Sequence, residues 1–407
     1  MTLTVEAPVN AHSHAFHRLL RGRTHAGADG APADFWRWRE QMYRLAGALT
    51  PESMERLATA VYAEMAVAGW TAVGEFHYLH HAPDGAAYPD HAMERALARA
   101  ARAAGIRLVL LDTCYLQGGL SPEGRPLPLG EVQRRYADGD VAAWASRWAS
   151  LEDALAEEDA GSGLVSLGAA VHSLRAVDSG QLAELADWAA DRPQVPLHVH
   201  LSEQPAENAA VQAAHGLSPT ALLHSHHLLS ERLSAVHATH LTETDIGLLG
   251  RTGSTVVMCP TTEADLGDGI GPARELADAG ASIALGSDQH VVLDPLVEMR
   301  AMEHGERLRT GRRGRFSPAA LRTAAVAAGR RSLGISAAAA EDVIELDDSS
   351  VRTIGSDPEQ LPMTATAADV VAVTVGGERI AADGVHERLG DPAELYQSLF
   401  AHHPELR

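Results

Sequence analysis

Lysine is missing from this chain of 407 residues, and all 33 basic side chains are arginine. A carbamylated lysine, the usual bridge between two paired metal ions, therefore has no source, and an anionic ligand must be met by a local cluster of guanidinium groups. Cysteine is nearly absent: only Cys114 and Cys259 occur, which excludes a disulfide framework and a Cys-x-x-Cys zinc motif and suits a reducing cytoplasm. Positive charge is outweighed to a formal net charge of -21, so nucleic acid and anionic membrane are not expected as partners. No run of eighteen apolar residues occurs, and Met1–Glu6 carries neither a basic segment nor a long apolar one, so secretion and membrane spanning are not expected. No internal repeat or low-complexity tract stands out beyond alanine-rich stretches.

What is present is a soluble-protein composition, 45% hydrophobic and 21% charged, with apolar β-rich runs alternating with helical periodicity. Eight strands are predicted near 6–14, 71–77, 106–113, 164–172, 195–201, 233–239, 254–259 and 281–287. Helices are predicted between and after them, near 51–68, 90–104, 140–157, 180–190, 204–214, 242–250, 272–279 and 295–309. Eight βα units imply an α/β fold of the TIM-like (β/α)8 type, and a doubly wound sheet is disfavoured because no Gly-x-Gly-x-x-Gly turn follows the first strand. The barrel is expected over 1–335, followed by a small β appendage with a closing helix over 336–407. Ala337–Ala340 reads as a flexible joint. The segment 17–49, with Phe35-Trp36-Arg37-Trp38-Arg39-Glu40, is too long for a turn and is expected to cover the barrel mouth, whereas 115–139 reads as a surface excursion.

Barrels of this kind carry chemistry at the carboxyl ends of their strands. His12 and His14 close the first strand and, two apart, project into one space. His200 ends the fifth, His237 the sixth, and Asp288 follows the eighth. His198 is expected to be a buried, hydrogen-bonded residue of the inner layer, and His240 to fall at the start of the next loop. Any one of these histidines alone is as readily structural, but residues of this kind on four strand ends converge on one site. Three imidazoles and a carboxylate suit one divalent ion, Zn2+ before Fe2+ or Mn2+, with a position left for water.

These residues, together with Asn10-Ala11-His12-Ser13-His14-Ala15-Phe16, Phe35 to Arg44, Gly74-Glu75-Phe76-His77-Tyr78-Leu79-His80-His81, His172-Ser173-Leu174-Arg175-Ala176-Val177 and Gly286-Ser287-Asp288, resemble the formimidoylglutamate deiminases, in the mononuclear deaminase branch of the amidohydrolase superfamily. The resemblance spans about residues 8–335. It implies hydrolysis of N-formimidoyl-L-glutamate to N-formyl-L-glutamate and ammonia in histidine degradation, by a homodimer acting on a small molecule with carboxylates. It implies His12, His14, His200 and Asp288 as metal ligands, Glu203 as proton shuttle, His237 as the group that steadies the attacked atoms, and Arg39, Tyr78 and Arg175 as holders of the glutamate portion. Asp288 has a second role there, as base. His17 stands where that pattern has a glutamine. The pattern also has a longer amino-terminal segment that joins the carboxyl-terminal strands in a β-sandwich, which is expected to be incomplete here. The alternatives are a deaminase of a cyclic amidine such as a purine, pyrimidine or triazine, and a non-catalytic barrel of the same type.

Overall fold

The computed structural model describes residues 2–24, 35–158, 161–336 and 341–407. Strands β1 (Thr2–Glu6), β2 (Val9–Ser13), β3 (Ala72–His77) and β4 (Arg107–Cys114) are followed by a ribbon of β5 (Gly119–Leu120) and β6 (Pro126–Leu127). Next come β7 (Val165–Val171), β8 (Leu197–Leu201), β9 (Leu233–His237), β10 (Thr255–Met258) and β11 (Ser282–Leu285). The last four are β12 (Val343–Asp347), β13 (Val370–Val375), β14 (Glu378–Ala382) and β15 (Val385–His386).

Eight of these form one parallel sheet in the order β11-β10-β9-β8-β7-β4-β3-β2, an α/β barrel of the TIM type. It closes at the future site. The amides of Ser287 and Asp288 donate to the His12 carbonyl at 3.1 and 3.0 Å, and the His14 amide donates to the Asp288 carbonyl at 3.2 Å. Gly286 permits that seam, because a Cβ there would lie 2.8 Å from the Cβ of His12.

Helices α1 (Phe35–Ala48), α2 (Pro51–Ala68), α3 (Ala92–Ala104), α4 (Val141–Glu158), α5 (Ser179–Ala190) and α6 (Pro205–His215) lie within one or two residues of their predicted bounds where bounds were predicted. The start of α2 shows why: Thr50 caps the Ser53 amide, the Ser53 side chain returns to Thr50, and Pro51 fills the first helical position. Three helices escaped the sequence reading: α1, within the segment expected only to cover the mouth, and Pro219–Ser225 and Pro260–Leu266, whose 7 residues each are too few for a periodic signal. The predicted helix 317–334 runs from Pro318 to Ser332 with a wide turn at Ala324–Ala328 and lies under the barrel, with Gly329 against Val9. No helix among the described residues is long and apolar enough to cross a membrane.

The predicted first strand, 6–14, is β2, and a further strand that the sequence reading did not include, β1, precedes it. Pro8 lacks the amide a ladder needs and separates β1, whose residues alternate between exposed and half-buried, from the fully buried β2. β1 pairs antiparallel with β12, from Thr2 opposite Asp347 to Glu6 opposite Val343, and is the edge of a five-stranded sheet β1-β12-β13-β14-β15. The appendage is one sheet, with no second sheet facing it among the described residues, and the end of α2 reaches it where Gly69 approaches Val370 and Ile344. Helix α1 occupies the predicted mouth cover, whose residues 25–34 lie outside the described residues, as does the joint Ala337–Ala340. The segment 115–139 is no mere surface excursion: Tyr115, Gln133, Arg135 and Tyr136 within it are buried.

Candidate active site

The carboxyl ends of the strands open into a cavity of about 400 Å3. At its base the Nε2 atoms of His14 and His200 lie 3.3 Å apart, and those of His200 and His12 3.2 Å apart. Asp288 Oδ1 stands 3.5 Å from His12 Nε2 and 3.6 Å from His14 Nε2. In a tetrahedral site with ligand bonds of about 2.0–2.1 Å, neighbouring donors stand roughly 3.3–3.4 Å apart. These four separations lie close to that spacing.

Protonation agrees with the spacing. A carbonyl only accepts, so His14 Nδ1–H donates to the Phe76 carbonyl at 2.7 Å and His200 Nδ1–H to the His172 carbonyl at 3.0 Å. Both Nε2 lone pairs are left facing the shared point, as outer hydrogen bonds orient metal-binding histidines generally. Burial and the neighbouring imidazoles push His14 down to about 3 and His12 and His200 well below their ordinary value, so all three are neutral. Converging lone pairs with no proton between them repel each other, and a divalent cation relieves that repulsion. The residues fit the group.

Above them, His237 Nε2 lies 3.8 Å from Glu203 Oε1 and 3.9 Å from Asp288 Oδ2, while its Nδ1 is 3.4 Å from Glu263 Oε1. Burial opposes a charge on His237, but the three carboxylates overcome it and push the pKa up to about 10. Burial raises Glu203 above the ordinary carboxylate range. Ser202, His237, Ala238, Asp288 and His290 all adopt positive φ, from 44° to 69°. Such left-handed backbone is costly for residues other than glycine, and here it gathers at one set of strand ends.

The outer wall is aromatic and cationic. His17 Nε2 and the Tyr78 hydroxyl are 3.1 Å apart, and Arg39 on α1 donates from Nε to the Tyr43 hydroxyl at 2.8 Å. Arg175, in the loop after β7, also lines the cavity. His14, His17, Arg39, Tyr78, Arg175, His200, Glu203, His237 and Asp288 all border this one cavity, and His12 lies buried just beneath it. His198 is also buried, with its Nε2 2.9 Å from the Ser332 carbonyl, on the other side of the barrel interior. His240 begins the loop after β9, where its carbonyl accepts from Asn208.

Four further residues belong to the site. His172 and Tyr115 form cavity wall, Glu207 lies buried with Oε2 4.0 Å from Arg175 Nε, and Glu263 supports His237. The end-of-strand rule that singled out His200 points equally to His172, one residue past β7. Glu207 and Glu263 sit on helices, and nothing in their spacing singles them out.

The model of the amidohydrolase family matches residues 7–339. The chain is 41% identical over 334 residues to formimidoylglutamate deiminase from Pseudomonas aeruginosa, covering 80% of this chain and 71% of that protein. It is 28% identical over 391 residues to 5-methylthioadenosine/S-adenosylhomocysteine deaminase from Natronomonas pharaonis, covering 94% and 82%. Among solved structures, an amidohydrolase from Brucella melitensis superposes with a TM-score of 0.86 at 31% identity, over 98% of this chain and 89% of the other.

Proposed function

The chain belongs to the amidohydrolase family, and from that premise we propose that it hydrolyses the amidine of N-formimidoyl-L-glutamate, giving N-formyl-L-glutamate and ammonia. One observation carries the reading. Two arginines, Arg39 and Arg175, border the same cavity as the His12, His14, His200 and Asp288 set, in a chain 41% identical to a formimidoylglutamate deiminase. A substrate with two carboxylates needs such local cations in a protein of net charge -21, and a bidentate guanidinium–carboxylate contact contributes about 2–3 kcal/mol.

His12, His14, His200 and Asp288 hold one divalent ion. When bound, zinc, or Fe2+ or Mn2+ in its place, supplies the Lewis acidity that lets a water lose its proton near neutral pH. Asp288, facing the same space, accepts that proton as the water oxygen adds to the amidine carbon. Glu203, 3.8 Å from His237, carries a proton to the nitrogen that departs as ammonia, and its raised pKa suits a group that must both take and give one. His237, protonated among its three acidic neighbours, donates toward the adding oxygen. His17 and Tyr78 close the wall beside the reacting carbon, and Arg39 and Arg175 grip the glutamate carboxylates. The same reading places the enzyme in histidine degradation, as a cytoplasmic homodimer. Its two buried cysteines, both free thiols, suit that compartment.

The test is ammonia release from N-formimidoyl-L-glutamate set against a panel of purine, pyrimidine and triazine amidines. Turnover confined to the linear substrate, with a KM raised about a hundredfold by Arg175→Ala, is expected. Turnover confined to a ring amidine, or none with a full complement of metal, overturns the reading.

A further inference from the structure

Helix α1 carries Trp38, Arg39, Met42 and Tyr43 on the cavity wall, and it is held at both ends. Toward its start, Trp38 Nε1 donates to Gln289 Oε1 at 2.8 Å, in the residue next to Asp288. At its far end stands Arg135, which is 1% exposed. Arg135 donates from Nη1 to the Ala46 carbonyl, from Nη2 to the Leu49 carbonyl at 2.8 Å and from Nε to the His81 carbonyl at 2.9 Å. Its own carbonyl accepts from the amides of His80 and His81 at 3.0 and 2.9 Å. No carboxylate pairs with this buried guanidinium among the described residues. The carbonyls at the end of α1 take that part, where the helix dipole favours a cation and otherwise leaves acceptors unsatisfied.

The three anchored segments each lead to the site. Ala46 and Leu49 end the helix that bears Arg39. His80 and His81 follow Tyr78 in the loop after β3, and Tyr136, next to Arg135, packs on Tyr78 and Tyr115 with ring centroids 5.0 and 5.4 Å apart. We propose that Arg135 is a positioning residue that clips α1 to the loop after β3 and so sets the distance across the cavity between Arg39 and Tyr78. A lysine cannot replace it, because a single ammonium lacks the planar fork that reaches three carbonyls on two segments. The proposal rests on the reading of Arg39 as a carboxylate-binding residue.

The experiment compares Arg135→Met and Arg135→Lys with Arg39→Ala in the metal-loaded enzyme, by steady-state kinetics on N-formimidoyl-L-glutamate and by hydrogen exchange. Arg135→Met is expected to raise KM about tenfold with kcat changed less than about threefold. It is also expected to speed amide exchange across 35–48 and 78–81 and to leave one metal ion per chain. Arg135→Lys, which keeps the charge and packs where methionine fails to fold, is expected to fall between the two. In the double variant with Arg39→Ala, KM should rise no further than with Arg39→Ala alone. If Arg39→Ala raises KM while neither Arg135 variant moves KM or the exchange of 35–48, the clip is overturned. A fall in thermal stability and kcat with KM unchanged also overturns it, since that marks a purely structural arginine. If Arg39→Ala leaves KM unchanged, it is the substrate reading that fails, and the exchange data then judge the clip on their own.

Discussion

Two clusters of buried histidine and acid lie at strand ends of the same barrel, and they are built for opposite purposes. In the first, the Nε2 atoms of His12, His14 and His200 meet beside an Asp288 oxygen, and the Nδ1 donors of His14 and His200 leave their Nε2 lone pairs free. In the second, His77, His80 and Glu94 also lie close enough together to hold an ion. There, however, His80 donates from Nδ1 to Glu94 at 2.8 Å and from Nε2 to the Thr113 carbonyl at 3.0 Å, which leaves it no lone pair. Arg147 enters the same cluster, donating to Asp112 at 2.7 and 3.0 Å and to Asp138 at 2.8 and 3.0 Å, and standing 3.4 Å from Glu94. Burial and Arg147 oppose a charge on His80, but Asp112 and Glu94 win and raise its pKa. The second cluster thus contains its own cations, whereas the first has neutral imidazoles that need one supplied. Residue type and burial do not distinguish the two; free lone pairs and the local charge balance do.

The sharpest break in that contrast is expected from His200→Ala. On the ligand set proposed above, this loss should drop the metal content below one per chain and lower turnover about ten-thousandfold, about 5 kcal/mol of barrier. Elemental analysis beside the ammonia assay checks both, and unchanged metal content would mean that the ion sits elsewhere. Next in size, Arg147→Met should destabilise the fold by about 3–5 kcal/mol in urea unfolding, because Asp112 and Asp138 lose their buried partner. Metal content should stay at one ion per chain, and a loss of metal in this variant would erase the separation between the clusters.

The smallest effect concerns pH. Burial alone would raise Glu94, but the hydrogen bond from His80 and the charges of His80 and Arg147 bring it down to about 2 from the ordinary 4.5. A depressed acid stabilises the fold above its unfolded pKa and loses that contribution as pH falls through the folded one. His80, raised, contributes fully below its ordinary 6.5 and loses the contribution as pH climbs past its folded value. The stability gap between the parent chain and Glu94→Gln should therefore be widest from about pH 4.5 to 6.5, at ~3 kcal/mol or less, and shrink toward pH 2. A gap independent of pH would show that Glu94 acts through packing alone.

Much of the metal-type site was legible because strand geometry is local. Alternation places His12 and His14 on one face, and parallel strands deliver their last residues to one mouth, so His200, His237 and Asp288 follow from counting strands. The arginine pair needed the family resemblance, since Arg39 and Arg175 do not differ in spacing from the other arginines. β1 was missed because Thr2–Glu6 is a short segment of alternating exposed and half-buried residues whose partner, β12, lies more than 330 residues away. Arg135 is one of six charged residues in the segment that reads as a surface excursion, and only the fold shows that its guanidinium meets the carbonyls at the end of α1.

By itself, then, the order of residues determined the αβ alternation and the ligand types at strand ends, because each depends on neighbours within a few positions. Only the tertiary structure decided which cluster keeps its lone pairs free. That choice depends on Arg147, drawn from a helix 53 residues beyond Glu94, entering one group of acids and not the other. Long-range charge compensation of this kind is a property of packing and leaves no periodic trace along the chain.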